Sequence, residues 1–238
     1  LWVGILFFFS PEARTWLVPY AIFFDLSVFG FYFVAAQVFL EKGERTLSAL
    51  AVTPLRPTEY LLSKLVSNAL SALGMSLVLA IVYFWAAFHA GWLTLGVISN
   101  SWLMIILGLS IAGRYQTISD FLMPSMIFAM PSQLPLLDYF GIWNHWLIYL
   151  VPTQPSMILI EAAFRPVEPW ELLYAAGYLA IAPTSGFESL TLERAETVDG
   201  RSATVALSSY WRPPLVTALV PHGIRIEVTA VARSVFSR

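Results

Sequence analysis

Residues Glu41–Leu65 read EKGERTLSALAVTPLRPTEYLLSKL, a short charged stretch set between two long apolar runs. Trp16–Leu40 precedes it and Tyr60–Phe88 overlaps its end. Each run exceeds the ~20 residues that a helix needs to cross a ~30 Å hydrocarbon layer. The stretch carries Lys42, Arg45 and Arg56, with Lys64 just inside the second run. Positive charge marks the cytoplasmic side. The pattern therefore predicts two spans joined by a small helix on the inner membrane surface. Leu47, Leu50, Ala51 and Pro54 fall on one face of that helix, with Glu41, Glu44, Arg45 and Ser48 largely elsewhere. Two readings fit: an interfacial helix lying on the membrane, or a knob docked into a soluble partner.

Composition agrees with a membrane protein. The chain is 58% hydrophobic and only 12% charged, about half the ~25% charge of soluble domains, and its mean hydropathy is +0.72. A net charge of −2 gives no basis for nucleic-acid binding. The lack of cysteine removes disulfide and thiolate chemistry. There is no G-x-x-x-x-G-K-[ST] loop for a nucleotide, no H-E-x-x-H helix and no G-x-S-x-G elbow. His89, His145 and His222 lie far apart without metal-ligand spacing. These observations point away from an enzyme and from any metal site or cofactor bound by this chain.

The remaining spans follow from length and punctuation. Leu1–Phe9 (LWVGILFFF) reads as the outer end of a helix that begins upstream, an N-terminal truncation. Ser10–Thr15 is a polar turn, and Trp16–Leu40 is the first complete span. Tyr60–Phe88 is the second, His89–Gly91 an outer turn, Trp92–Ala112 the third, and Gly113–Asp120 an inner loop. From Phe121 the apolar run is broken by Pro124, Pro131 and Pro135, and Tyr139, Trp143, Trp146 and Tyr149 then cluster like an interfacial belt. This predicts a span reaching the outer face, followed by short broken helices shielded by protein. Ile148–Phe164 belongs to that outer hairpin, bent by Pro152 and Pro155. Trp170–Ala182 starts a last descending span, but its 13 residues give only ~20 Å of helix. From Pro183 to Arg238 the chain is polar, with weak strand-like alternation at Gly223–Val231. This tail is expected to be poorly ordered, with at most a short strand pair there. It is either frameshift-derived, the reading favoured here, or a genuine soluble tail.

A few polar residues stand inside the spans. Asp25 lies about nine residues into the first, ~13 Å below the outer surface, where a carboxylate is costly and faces an interior or a water-filled path. Asn100 lies at similar depth in the third span and is its candidate partner. Both fit either a substrate path or helix packing. Lys64 and Asn68 share a face of the second span, and Lys64 is expected to snorkel to the inner surface. Glu161 is expected to be solvated or to cap a helix. Gly30, Ala35 and Ala36 are the residues read as permitting close helix approach, and Phe29, Phe31 and Phe33 as lipid-facing or packing residues.

The segment at 41–65 resembles the cytoplasmic segment of ABC-2 type transporter permeases, the membrane subunits of bacterial ABC exporters. Glu41, Gly43, Thr46-Leu47 and Thr53-Pro54-Leu55 carry the match, while Arg45 stands where the family often has Gly. Two later stretches, GRYQTISDFLMPSMIFAMPSQLPLLDYFGI at 113–142 and YLVPTQPSMILIEAAF at 149–164, are similar to the fluoroquinolone export permease branch. The resemblance covers Leu1 to about Ala182. It implies an all-α, six-helix permease domain over 1–182 with both termini inside, in the inner (plasma) membrane. It implies a coupling helix over about 41–55, with Glu41, Gly43, Glu44, Arg45, Thr46, Leu47, Leu50, Thr53 and Pro54 as its docking residues. It implies a re-entrant outer hairpin over about 131–164, a second permease copy, and separate ABC ATPase subunits that hold ATP and Mg. The implied function is export of a hydrophobic or amphipathic small molecule. Drugs, lipids and glycolipids all fit an aromatic-rich path. The alternative is a non-transporting membrane scaffold that anchors a cytoplasmic partner.

Overall fold

The computed structural model describes residues 2–44, 57–181, 191–197, 202–211 and 224–233. Helix α1 (Trp2–Phe7) turns into α2 (Pro11–Phe24). Ser10 caps α2, its Oγ accepting from the Ala13 N–H at 3.3 Å, with Pro11 and Glu12 in the first turn. A π-turn at Asp25–Phe29 carries the helix into α3 (Gly30–Gly43). The first span is thus a 33-residue helix, Pro11–Gly43, longer than the expected Trp16–Leu40. The polar residues at 10–15, read as a turn, are the helix cap and its first turn.

Helix α4 (Pro57–Phe84) closes at Trp85, whose φ of 54° is a left-handed terminus. The His89 N–H donates to the Ala163 carbonyl at 2.8 Å, and α5 (Ala90–Ala112) follows. Among the described residues three helices are long and apolar enough to cross a membrane: Pro11–Gly43, Glu59–Phe84 and Ala90–Ala112. Thr117 caps α6 (Ile118–Ala129), accepting from the Asp120 N–H at 3.2 Å. The chain then passes through a 3-10 turn at Pro131–Gln133 into α7 (Pro135–Tyr139). Pro131 and Pro135 open these elements, where no N–H is needed, so the backbone stays nearly helical from Ile118 to Tyr139. After a 3-10 turn at Trp146–Leu150 come α8 (Gln154–Ala162) and α9 (Pro169–Ile181). Pro155 starts α8 rather than bending it.

Helix α5 is the hub. It packs on α3, α4 and α8. Two glycines set its closest approaches. A Cβ on Gly108 would lie 2.6 Å from Val34 Cγ1 and 2.9 Å from the Phe31 carbonyl oxygen. A Cβ on Gly96 would lie 2.8 Å from Ile160 Cγ1 and 2.9 Å from the Ile160 nitrogen. The sequence reading put close approach at Gly30, Ala35 and Ala36. Ala35 is buried, but Gly30 has open space around it and Ala36 is exposed. At about 100° per residue Ala35 and Ala36 point about 100° apart and Gly30 and Ala35 about 140° apart, so the three cannot face one neighbour. Apolar packing forms one cluster around Ile22, Phe23, Leu93, Val97 and Ile160, and a second around Phe31, Met104 and Phe121.

Every described element up to Ile181 is helical. Beyond it, β1 (Thr191–Thr197), β2 (Ser202–Trp211) and β3 (Ile224–Arg233) form an antiparallel sheet in the order β1-β2-β3. Ser202 pairs with Arg233 and Trp211 with Ile224. This corrects the expectation of at most a short strand pair. Ala203, Val205 and Leu207 alternate with Ser202, Thr204 and Ser208 much as β3 alternates, so β2 is the natural partner that the sequence reading passed over.

Candidate functional site

The expected docking segment starts on α3. Its first acidic residue is turned inward. The Glu41 carboxylate accepts from Lys64 Nζ at 2.5 Å and from the Tyr60 hydroxyl. Lys64 Nζ also donates to Gln37 Oε1 at 3.3 Å, and Asn68 Nδ2 donates to the Lys64 carbonyl at 2.9 Å. Both members of the ion pair are about four-fifths buried. Lys64 therefore does not snorkel; a carboxylate within reach satisfies its charge between the spans. On another side of α3, Lys42 Nζ donates to the carbonyls of Ala112, Gly113 and Tyr115 at 2.9, 3.3 and 2.6 Å. A cation there satisfies orphan carbonyls and the negative end of the α5 dipole. Gly43 and Glu44 are exposed. Arg45, Thr46, Leu47, Leu50, Thr53 and Pro54 lie outside the described residues.

The mid-span pair is arranged differently from expectation. Asp25 opens the π-turn, and its Oδ1 accepts from Trp2 Nε1 at 2.7 Å. Asn100 is fully buried and donates to Ser27 Oγ at 3.1 Å. Asn100 is thus not the partner of Asp25. The π-turn presents Ser27, not Asp25, to α5. Asn100 Oδ1 is buried without a partner among the described residues.

The segment expected to form the outer hairpin gathers the third polar group. Glu161 pairs with Arg165 one turn later on, and is neither solvated nor a cap. The Arg165 guanidinium lies 3.4 Å from the centre of the Trp16 ring and 4.8 Å from that of Tyr139. Tyr139 donates its hydroxyl proton to the Trp16 carbonyl at 2.8 Å. Gln154 Nε2 donates to Asp138 Oδ2 at 2.9 Å, and Thr153 Oγ1 to the Ser132 carbonyl at 2.8 Å. These contacts fasten α7, α8 and the start of α2 together around a cleft of about 500 Å³. Burial pushes the Asp138 carboxyl above its ordinary value, partly offset by the Gln154 hydrogen bond. Burial also raises Glu161, against the opposing pull of Arg165. A neighbouring hollow of about 600 Å³, between Phe88, Trp92 and Phe164, is lined mainly by apolar residues. The sequence reading missed Trp2, Ser27, Gln37, Gln154 and Arg165. Among the described residues no three His, Asp or Glu side chains converge as a metal site.

Three long apolar helices, with polar side chains gathered into bonded clusters, define a helical integral membrane protein. Residues 1–189 match the fluoroquinolones export permease protein family, and the chain belongs to that family. The ABC-2 resemblance read at 41–65 and 113–164 points to the same group. Two proteins named fluoroquinolones export permease protein, from the CDC 1551 / Oshkosh and H37Rv strains of Mycobacterium tuberculosis, are each 33% identical to the chain over 181 residues. Each alignment covers 75% of this chain and 76% of the relative. No solved structure matches the chain. The three strands lie beyond the residues that match the family.

Proposed function

We propose that the chain is the membrane-spanning permease subunit of an ATP-driven ABC exporter in the inner (plasma) membrane. It moves a hydrophobic or amphipathic small molecule, drug-like or lipid-like, out of the cell. It works beside a second permease copy, and separate ATPase subunits bind ATP and Mg. The segment over about 41–55 is their docking site, the stretch over about 131–164 is the outer hairpin, and Asp25 and Asn100 border the path. Family membership over residues 1–189 carries this reading. The inner clusters support it. Glu41 ties α3 to α4, and Lys42 ties α3 to the end of α5, so force applied between Glu44 and Pro57 acts on all three spans at once.

Its relatives are named for fluoroquinolone export, so a fluoroquinolone is the first cargo to try. The test is co-expression with a candidate ATPase subunit and reconstitution into inside-out vesicles. ATP-dependent accumulation of the drug is the expected result, abolished by Leu47→Asp together with Leu50→Asp. Stable co-purification of the ATPase without ATP-dependent movement of any cargo would replace transport with scaffolding.

A further inference from the structure

The outer cleft carries a charge pattern that hairpin packing alone does not require. Asp138, Glu161 and Glu171 line it, against the single guanidinium of Arg165. Arg165 is already engaged with Glu161 and with the Trp16 ring. The other two carboxylates have neutral partners. Asp138 accepts from the Gln154 amide at 2.9 Å. Glu171 accepts from the Tyr149 hydroxyl at 3.3 Å and from the Glu168 N–H at 3.1 Å. No second cationic side chain lines the cleft among the described residues.

Two further observations point to a ligand. Gln154 is only 2% exposed, and its Oε1 is buried without a hydrogen-bond partner among the described residues. An acceptor in that position is poorly served unless a donor reaches it. The walls are aromatic and open: Trp16, Phe140 and Trp170 line the cleft and are roughly half exposed. Tyr149 backs Trp170 with ring centres 5.2 Å apart. Aromatic faces attract cations and accept apolar bodies equally well. The volume, about 500 Å³, falls in the range of small-molecule sites.

We propose that this cleft binds a small organic cation with an apolar body, an aryl or alkyl ammonium. The ammonium sits between Asp138 and Glu171 and donates to Gln154 Oε1. The apolar body lies against Trp16, Phe140 and Trp170. A bare metal ion does not fit, because the carboxylates do not converge into a ligand shell. An anion meets the wrong charge. The role of the cleft as a release-side station on an export path rests on the permease reading above; the binding does not.

The test uses the full chain in nanodiscs of zwitterionic lipid at neutral pH. The probes are naphthylmethylammonium and its neutral near-isostere naphthalenemethanol, followed by calorimetry and by quenching of tryptophan fluorescence. The ammonium is expected to saturate and to bind ~10-fold tighter than the alcohol, the scale of one charge-assisted contact. Glu171→Gln should lower ammonium affinity by about that same factor and leave the alcohol unchanged. Asp138→Asn should do likewise, and Glu171→Gln serves alone if that variant does not fold. Phe140→Ala should weaken both probes. Equal affinity for the two probes, an ammonium isotherm unmoved by Glu171→Gln, or the absence of saturable binding each overturns the proposal. Saturable, charge-selective binding by a chain that transports nothing leaves the cleft standing and defeats the export reading. ATP-driven transport by a chain that binds no ammonium does the reverse.

Discussion

Replacing Gly96 by Ala tests how α8 is held to α5. The added methyl would lie 2.8 Å from Ile160 Cγ1, 2.9 Å from the Ile160 nitrogen and 3.1 Å from Leu159 Cβ. The side-chain contact could be relieved by a rotamer change in an open site, but Ile160 is fully buried. The backbone contact cannot be relieved that way at all. Ordinary contact begins near 3.4 Å, so α8 would have to retreat from α5 by about half an ångström. Overpacking of this kind costs ~1–3 kcal/mol. Alanine is also the better helix former, by ~1 kcal/mol, which masks part of the loss. Gly74→Ala supplies the correction: it too is mid-helix, and nothing lies within 4 Å of its added methyl. The difference between the two variants isolates the packing cost. It should be ~1–3 kcal/mol, roughly a 5- to 150-fold shift in the unfolding equilibrium. Denaturing-detergent titration of the purified chain, followed by tryptophan fluorescence, measures it. Gly96→Ala as stable as Gly74→Ala would refute the argument that α8 is pressed against a glycine surface.

Two other perturbations follow from the polar clusters. Lys64→Met leaves the Glu41 carboxylate mostly buried without its cation, and should destabilise the chain more than the double change Glu41→Gln with Lys64→Met, which removes both charges; the same titration ranks them, and a double variant weaker than the single one would contradict the pairing. The pH dependence of Asp138 has a definite sign. Its carboxyl is raised above the ordinary value by burial, so the folded chain holds that proton more readily than the unfolded one. The stabilisation is complete below the ordinary carboxylate range near 4 and is lost as pH rises through the raised value. Asp138→Asn should therefore flatten the fall in melting temperature just above pH 4, and an unchanged slope would show that Asp138 titrates alike in both states.

The legible part of the fold was the part that a bilayer dictates. Span lengths are fixed by hydrocarbon thickness, so Trp92–Ala112 emerges within two residues of α5, and the 13-residue terminal helix emerges as Pro169–Ile181. The relative level of Asp25 and Asn100 along their helices was legible too, but rotation about the helix axis was not. Counting residues placed Asp25 and Asn100 at one level and so suggested that they pair. A π-turn has no periodic signature, and it passed that contact to Ser27. Charge at the ends of spans was over-read as an outward face. Glu41 and Lys42 are partly buried, and an acceptor or donor on the next helix satisfies them in place of solvent. The outer cleft draws on Trp16, Asp138, Gln154, Glu161, Arg165 and Glu171, residues that only the folded hairpin unites. Its one local trace was the placing of Gln154 and Glu161 at the two ends of a largely apolar α8, with Arg165 just beyond it. Another trace lay in α5 itself. Gly96, Asn100, Met104 and Gly108 recur every fourth residue, and all are buried, so they form one seam. That seam meets Ile160 of the hairpin at its outer end, Ser27 of the π-turn at mid-depth, and Phe31 and Val34 of α3 further in. Lys42 then caps the inner end of the same helix. Helix α5 thus touches α8, the π-turn and α3 in turn along its length. The contact of α5 with α8 is closest at Gly96, and Gly96 is the place where a single methyl group should loosen it.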